Sequence, residues 1–91
     1  MHNYLRDEKL QAAAERACGE SVHFEGFFRV AEKAGQKVWQ GVVTRFRCGN
    51  SCIYAWNADG EYLAVRRQPR ISSPTAAVRA WLDGRGQAFG M

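Results

Sequence analysis

Residues 45–56 read RFRCGNSCIYAW, and the length of the turn inside this stretch decides which side chains are core. Arg45, Phe46 and Arg47 alternate into the turn; Tyr54, Ala55 and Trp56 alternate out of it. Successive side chains of a strand point to opposite faces, so a one-residue slip in pairing exchanges the faces of a whole strand. A three-residue loop, Gly49-Asn50-Ser51, sets Cys48 opposite Cys52, Phe46 opposite Tyr54 and Thr44 opposite Trp56. A two-residue loop sets Arg45 opposite Tyr54 and Arg47 opposite Cys52, which forces either charge beneath a covering layer or aromatics into water. Burying an unpaired guanidinium costs several kcal/mol, whereas each buried aromatic contributes about 1.5–3 kcal/mol. The three-residue loop is therefore the expectation, with Gly49 or Asn50 supplying the positive φ it needs.

The next hairpin turns at Asp59-Gly60, a pair suited to a tight turn. Either an even two-residue or an even four-residue loop puts Tyr54 and Trp56 on one face with Leu63 and Val65. On this reading Tyr54 and Trp56 are core. The opposite face carries Trp39, Val43, Arg45, Arg47, Tyr62, Ala64 and Arg66, joined by Phe27 and Arg29 of the first strand.

Outward from the hairpins, the chain reads as helix, four strands, helix. Leu10, Ala13, Ala14, Ala17 and Cys18 form one helical stripe, with Asn3 as a candidate N-cap and Gly19 as the stop. In SVHFEGFFRV (21–30), Val22, Phe24, Phe28 and Val30 alternate with His23, Glu25, Phe27 and Arg29, and Gly26 marks a bulge or a close backbone approach. AEKAGQK (31–37) is a polar turn. VWQGVVTRFRC (38–48) is the longest strand, followed by CIYAW (52–56) and YLAVRR (62–67). In ISSPTAAVRAWL (71–82), Ser73 caps a helix, Pro74 takes its first position, and Ala77, Val78, Trp81 and Leu82 form its apolar stripe. Gly84 ends it. The predicted architecture is one α+β domain over residues 1–83: a single four-stranded antiparallel sheet with both helices packed on one face, followed by a flexible tail over 84–91. Phe24, Phe28, Val42, Phe46 and the two helical stripes are the expected core.

The pieces WQGVV (39–43) with Phe46, YAW (54–56), YLAV (62–65) and SPTAAVRAWL (73–82) resemble a family of small uncharacterised bacterial proteins, some carried on mobile gene cassettes such as integrons. The resemblance spans Trp39 to Leu82, about half the chain. It implies this fold, and it implies no activity, cofactor or catalytic residue.

Composition bounds the function. At 91 residues, 46% hydrophobic and 24% charged, the chain lies near the globular average. No apolar run approaches the roughly 18 residues of a membrane span, and MHNYLRDEKL lacks the apolar segment of a signal peptide. A cytoplasmic protein is expected, with its three cysteines, Cys18, Cys48 and Cys52, as reduced thiols. The net charge of +4 is uneven: residues 1–28 are acidic, whereas residues 29–70 carry eight basic side chains against Glu32, Asp59 and Glu61. The middle of the chain is thus the part that attracts phosphate or an acidic partner, or simply a solvated surface.

Three classes of function follow. An uncovered strip of Trp, Tyr and Phe fringed by Arg has the composition of a protein interface, and a homodimer would cover it. The same strip could stack bases and neutralise phosphates, although the ribonucleoprotein signature of such sheets is absent. An enzyme would have to be built on His23 and Glu25, which share a strand face, against the simpler reading of exposed polar alternation. No cofactor is implied. Cys48-x3-Cys52 does not have zinc-knuckle spacing, and Cys18 and His23 lie on unrelated elements. Cys48 and Cys52, if opposite across the hairpin, could form a disulfide on oxidation. A small-molecule pocket between the sheet and the alanine-rich helix is a further possibility that no residue specifies. A non-enzymatic interaction module is the leading expectation.

Overall fold

A computed structural model describes residues 8–58, 62–85 and 87–89, with Arg85 and residues 87–89 as backbone alone. The candidate cap Asn3 and the turn at Asp59-Gly60 lie outside the described residues. The order is α1 (Glu8–Cys18), β1 (His23–Ala34), β2 (Lys37–Cys48), β3 (Ser51–Ala58), β4 (Tyr62–Pro69) and α2 (Pro74–Ala80), as the sequence predicts. The strands form an antiparallel meander, each pairing with its sequence neighbour. Residues 87–89, inside the expected tail, add a short β5 that pairs with β4.

Local chemistry sets the element ends where the sequence places them. Gly19 has φ 88°, and its N–H donates to the Glu15 carbonyl, which closes α1. The Ser73 side chain accepts from the Ala76 N–H, and Pro74 opens α2 where its missing N–H costs nothing. Gly84, at φ 85°, breaks the wide final turn over Trp81–Arg85. The β1–β2 pairing shifts between Phe24 and Gly26, so a bulge does sit at Glu25-Gly26. The expected polar turn is shorter than AEKAGQK: only Gly35 and Gln36 turn, and strand pairing continues to Ala34 and Lys37.

The two decisive hairpins both differ from expectation by one residue. Cys48 pairs with Ser51, so the loop is the two-residue Gly49-Asn50, with Gly49 at φ 59°. Arg45 is then opposite Tyr54, and Arg47 is opposite Cys52. Ala58 pairs with Tyr62, an odd loop that sets Trp56 opposite Ala64 and Tyr54 opposite Arg66. Strand β3 is therefore reversed face for face relative to both of its neighbours.

The consequence is that the helices lie on opposite faces, not together. Leu10, Ala13 and Ala14 of α1 pack with Phe46, Ile53, Ala55, Leu63 and Val65. Ala77 and Val78 of α2 pack with Val43, Cys52, Tyr54, Trp56 and Ala64. Five consecutive β3 residues, Cys52 to Trp56, are buried, because the strand has a helix above and a helix below. Tyr54 and Trp56 are core as expected, but they do not share their face with Phe46, Leu63 or Val65. The bulge separates the phenylalanines too: Phe24 pairs with Phe46 on the α1 face, while Phe28 joins the α2 cluster.

The objection to this register, a buried unpaired guanidinium, does not arise. Arg45 Nε lies 3.2 Å from Glu25 Oε1, its guanidinium sits 4.8 Å over the Phe28 ring, and its side chain keeps 30% exposure. The bulge is what turns Glu25 toward Arg45 on this face.

The cysteines also depart from expectation. Cys18 at the end of α1 and Cys48 at the end of β2 are joined in a disulfide, with Cα atoms 6.0 Å apart. Cys52 is buried and free, and its thiol donates to the Pro69 carbonyl. Cys48 and Cys52 belong to the two opposite core clusters, so the cross-hairpin disulfide considered from sequence does not form.

Candidate functional site

Each helix covers only part of its face. Helix α1 lies over β3 and β4, while α2 lies over β1 and β2 on the other side. The α1 face of the β1–β2 hairpin is thus left open beyond the helix. It presents Phe24, Phe27, Arg29, Ala31 and Lys33 from β1, and Val38, Gln40 and Val42 from β2, in register. Phe24 is 45% exposed and Val38 67% exposed, whereas Phe27 and Val42 are half-buried. The Phe24 and Phe27 rings lie 4.7 Å apart. None of these residues is acidic. A groove of about 290 Å³ runs along this open half, between Leu10 at the start of α1 and Phe27, Val42 and Thr44.

The sequence-predicted strip is therefore split. Trp39, Val43, Arg45, Arg47, Tyr62 and Arg66 do share one face, but it is the face that α2 partly covers. Val43 is fully buried under α2 and cannot be a contact residue. Phe27 and Arg29 lie on the opposite face, because the two-residue turn Gly35-Gln36 sets them opposite Thr44 and Val42. Tyr62 is exposed, and Arg47 is exposed at the far end of the sheet.

Trp39 has a structural task. Pairing between β2 and β3 stops at Thr44 and Ala55, so the strands part beyond that point. The Trp39 indole closes the fork: its Nε1–H donates to the Asn57 carbonyl at 3.3 Å, and its ring lies 5.9 Å from that of Trp56. The indole folds across Gly41, where an added Cβ would lie 2.7 Å from Trp39 Cζ2. Gly41→Ala consequently displaces the indole and lowers stability by about 1–3 kcal/mol in urea unfolding, the usual cost of overpacking. An unchanged midpoint would mean that the ring is not seated there.

Of the titratable candidates, Glu25, Glu32 and Tyr54 are tied up in structure. His23 is exposed on β1 opposite Arg47. Glu25 does not pair with it: Oε1 faces Arg45 and Oε2 accepts from Arg70 at 3.1 Å. Glu32 pairs with Arg79 of α2. The Tyr54 hydroxyl donates to the Ser72 carbonyl at 2.7 Å, and burial raises its pKa above the ordinary phenol value, which keeps it a donor. Among the described residues no group of three metal-ligating side chains gathers. No described helix is long and apolar enough to cross a membrane.

Sequence reasoning missed Phe24 and Val38 as exposed positions. The bulge at Gly26 was the available signal for Phe24, since one extra residue changes the parity of everything before it.

The fold and site define a small α+β domain on an antiparallel meander, with one half-face left open. Searches against protein-family models, curated proteins and solved structures find no match to this chain.

Proposed function

We propose that the protein is a small non-enzymatic interaction module whose open β1–β2 half-face is a protein interface, with a second copy of the chain as its occupant. The observation that carries this reading is the apolar row of exposed Phe24 and Val38 and half-buried Phe27 and Val42, on a half-face of the sheet that no described helix covers. Twelve-residue strands at about 3.3 Å per residue, two strands wide, give roughly 400 Å² per copy. Two copies bury about 800 Å², the size of a weak, reversible contact.

Charge gives the reading a sign. The open half-face carries Arg29 and Lys33 and no carboxylate. A symmetric pairing brings these cations together at its rim, so added salt strengthens association by screening them. Sedimentation equilibrium at two salt concentrations is the test. The expected result is a monomer–dimer equilibrium that tightens with salt and is lost in Val38→Lys. A chain that stays monomeric at every concentration contradicts the proposal.

The resemblance to cassette-borne bacterial proteins supplies no activity and adds no residue to this reading. The Cys18–Cys48 cross-link favours an oxidising compartment over the cytoplasm expected from sequence. Thiol trapping in the native cell decides between them: two alkylated cysteines at 18 and 48 place the protein in the cytoplasm.

A further inference from the structure

The face that carries α2 has one corner the helix does not reach. Helix α2 lies over the far half of the β1–β2 hairpin, where Arg79 meets Glu32. At the other end of the same face, His23, Arg47 and Cys52 form one cross-strand row, and Gly26, Arg45 and Tyr54 form the next. Antiparallel partners share a face, and Cys52 and Tyr54 belong to the α2 cluster, so His23, Arg45 and Arg47 stand on the α2 side of the sheet. His23 lies about 5 Å from Arg47 across the strands, and Arg45 about 7 Å from Arg47 along β2, at the usual spacings.

Two guanidinium groups of this corner are fixed in place. That of Arg45 lies 4.8 Å from the Phe28 ring centre, and its Nε lies 3.2 Å from Glu25 Oε1. The second comes from Arg70, in the connection between β4 and α2. The Ser72 N–H closes that turn on the Pro69 carbonyl at 2.9 Å. The Cys52 thiol and the Tyr54 hydroxyl moor it to β3 by donating to the Pro69 and Ser72 carbonyls. Arg70 Nη1 is thereby held 3.1 Å from Glu25 Oε2. Arg47 is exposed and meets no carboxylate among the described residues. Three guanidinium groups thus face one carboxylate, and the corner keeps two uncompensated positive charges. The Arg45 and Arg70 side chains remain 30% and 43% exposed, so N–H groups on their solvent side are open to a second anion.

We infer that this corner binds a phosphate dianion, free or as a small monoester, with Arg47 and Arg70 holding its oxygens and His23 beside them. Such a group carries close to two negative charges at neutral pH, which matches the charge left over; a carboxylate or a phosphodiester carries half as much. Guanidinium forks already held in place lose little side-chain entropy on meeting an oxyanion. The corner lies on the α2 face, whereas the proposed self-association uses the α1 face, so the two readings stand or fall separately.

The test is a titration of the full chain with glycerol phosphate and, separately, with inorganic phosphate, at slightly alkaline pH and constant ionic strength, followed by amide nuclear magnetic resonance shifts. Saturable shifts are expected at His23, Arg47 and Arg70 and not at Val38 or Val42, and the tighter of the two probes names the source, ester or free ion. Arg47→Gln, which breaks no ion pair among the described residues, should weaken binding about tenfold. Arg67→Gln should leave it within about twofold of wild type. Arg67 is exposed at the same end of the sheet, but it pairs with Ile53 and so stands on the α1 face. The contrast separates a built site from the diffuse field of a basic end. Shifts that fail to saturate, equal losses from the two substitutions, or tighter binding of a single-stranded oligothymidylate than of either probe overturns the inference.

Discussion

Trp56→Ala lowers the stability of the domain by about 3–5 kcal/mol, the range for removing a large aromatic from a packed core. Trp56 is fully buried at the meeting point of three elements. Its ring lies 5.9 Å from Trp39, which closes the β2–β3 fork, and 6.0 Å edge-on from Trp81, in the turn after α2. Walls from separate elements cannot close together on the space left behind, so the cavity cost is fully felt. A domain of this size holds roughly 5–10 kcal/mol in all, so the variant is close to unfolding at ordinary temperature. Trp56→Phe makes the informative contrast. The indole Nε1 has no hydrogen-bond partner among the described residues, so its removal relieves an unpaired buried donor and offsets part of the lost ring. Urea unfolding of the two variants should separate them by at least about 1.5 kcal/mol. Equal small losses would mean that Trp56 is not the centre of this core.

Removing the Cys18–Cys48 disulfide has the second large effect, about 3–4 kcal/mol from the chain entropy of a loop with sequence separation 30. The native state gives a reason to place the loss in α1. That helix is anchored through Leu10, Ala13 and Ala14, two of them only alanines, so its apolar burial is modest. The cross-link pins its C-terminal end to β2. Joint Cys18→Ala and Cys48→Ala substitution, or a reductant with wild type, should lower the melting temperature and speed amide exchange in α1 first. The strands and α2 should keep their protection to a later stage. Cys52 cannot substitute as a partner, because it is buried on the opposite face from Cys48. A melting temperature unchanged by reductant would show that the cross-link does not stabilise the fold.

The element order, the Ser73 cap, the Pro74 start and the Gly26 bulge were all legible, because each depends on a local preference of the residue concerned. Register was not local. Each hairpin loop differs by one residue from the expected length, and each difference reverses a strand. Nothing near Arg45 in sequence offers it a carboxylate; its partner Glu25 is 20 residues away and turns toward it only through the bulge. A usable signal did exist in CIYAW and LAV. Every residue from Cys52 to Trp56 and from Leu63 to Val65 is apolar and buried, and an unbroken apolar run marks a strand covered on both faces. Read that way, the second helix needs its own face. The open half-face follows from this, since neither short helix is wide enough to cover four strands.

The same reversal explains the fate of the predicted site. Arg45, Arg47 and Arg66 share one face, because their spacing along β2 and β4 survives the double slip. Val43 was lost to the core, and Phe27 and Arg29 crossed to the other side. The Trp39 indole, chosen as a contact, is instead bonded into the strand fork.

Everything proposed for the surfaces depends on the helices occupying opposite faces, and methyl–aromatic nuclear Overhauser contacts measure that directly. The account predicts contacts from the Ala13 and Ala14 methyls to Ile53 and Leu63, contacts from the Val78 methyls to the Trp56 indole, and none between α1 and that indole. A contact between the Ala14 methyl and the Trp56 ring would contradict it, because both helices would then share one face.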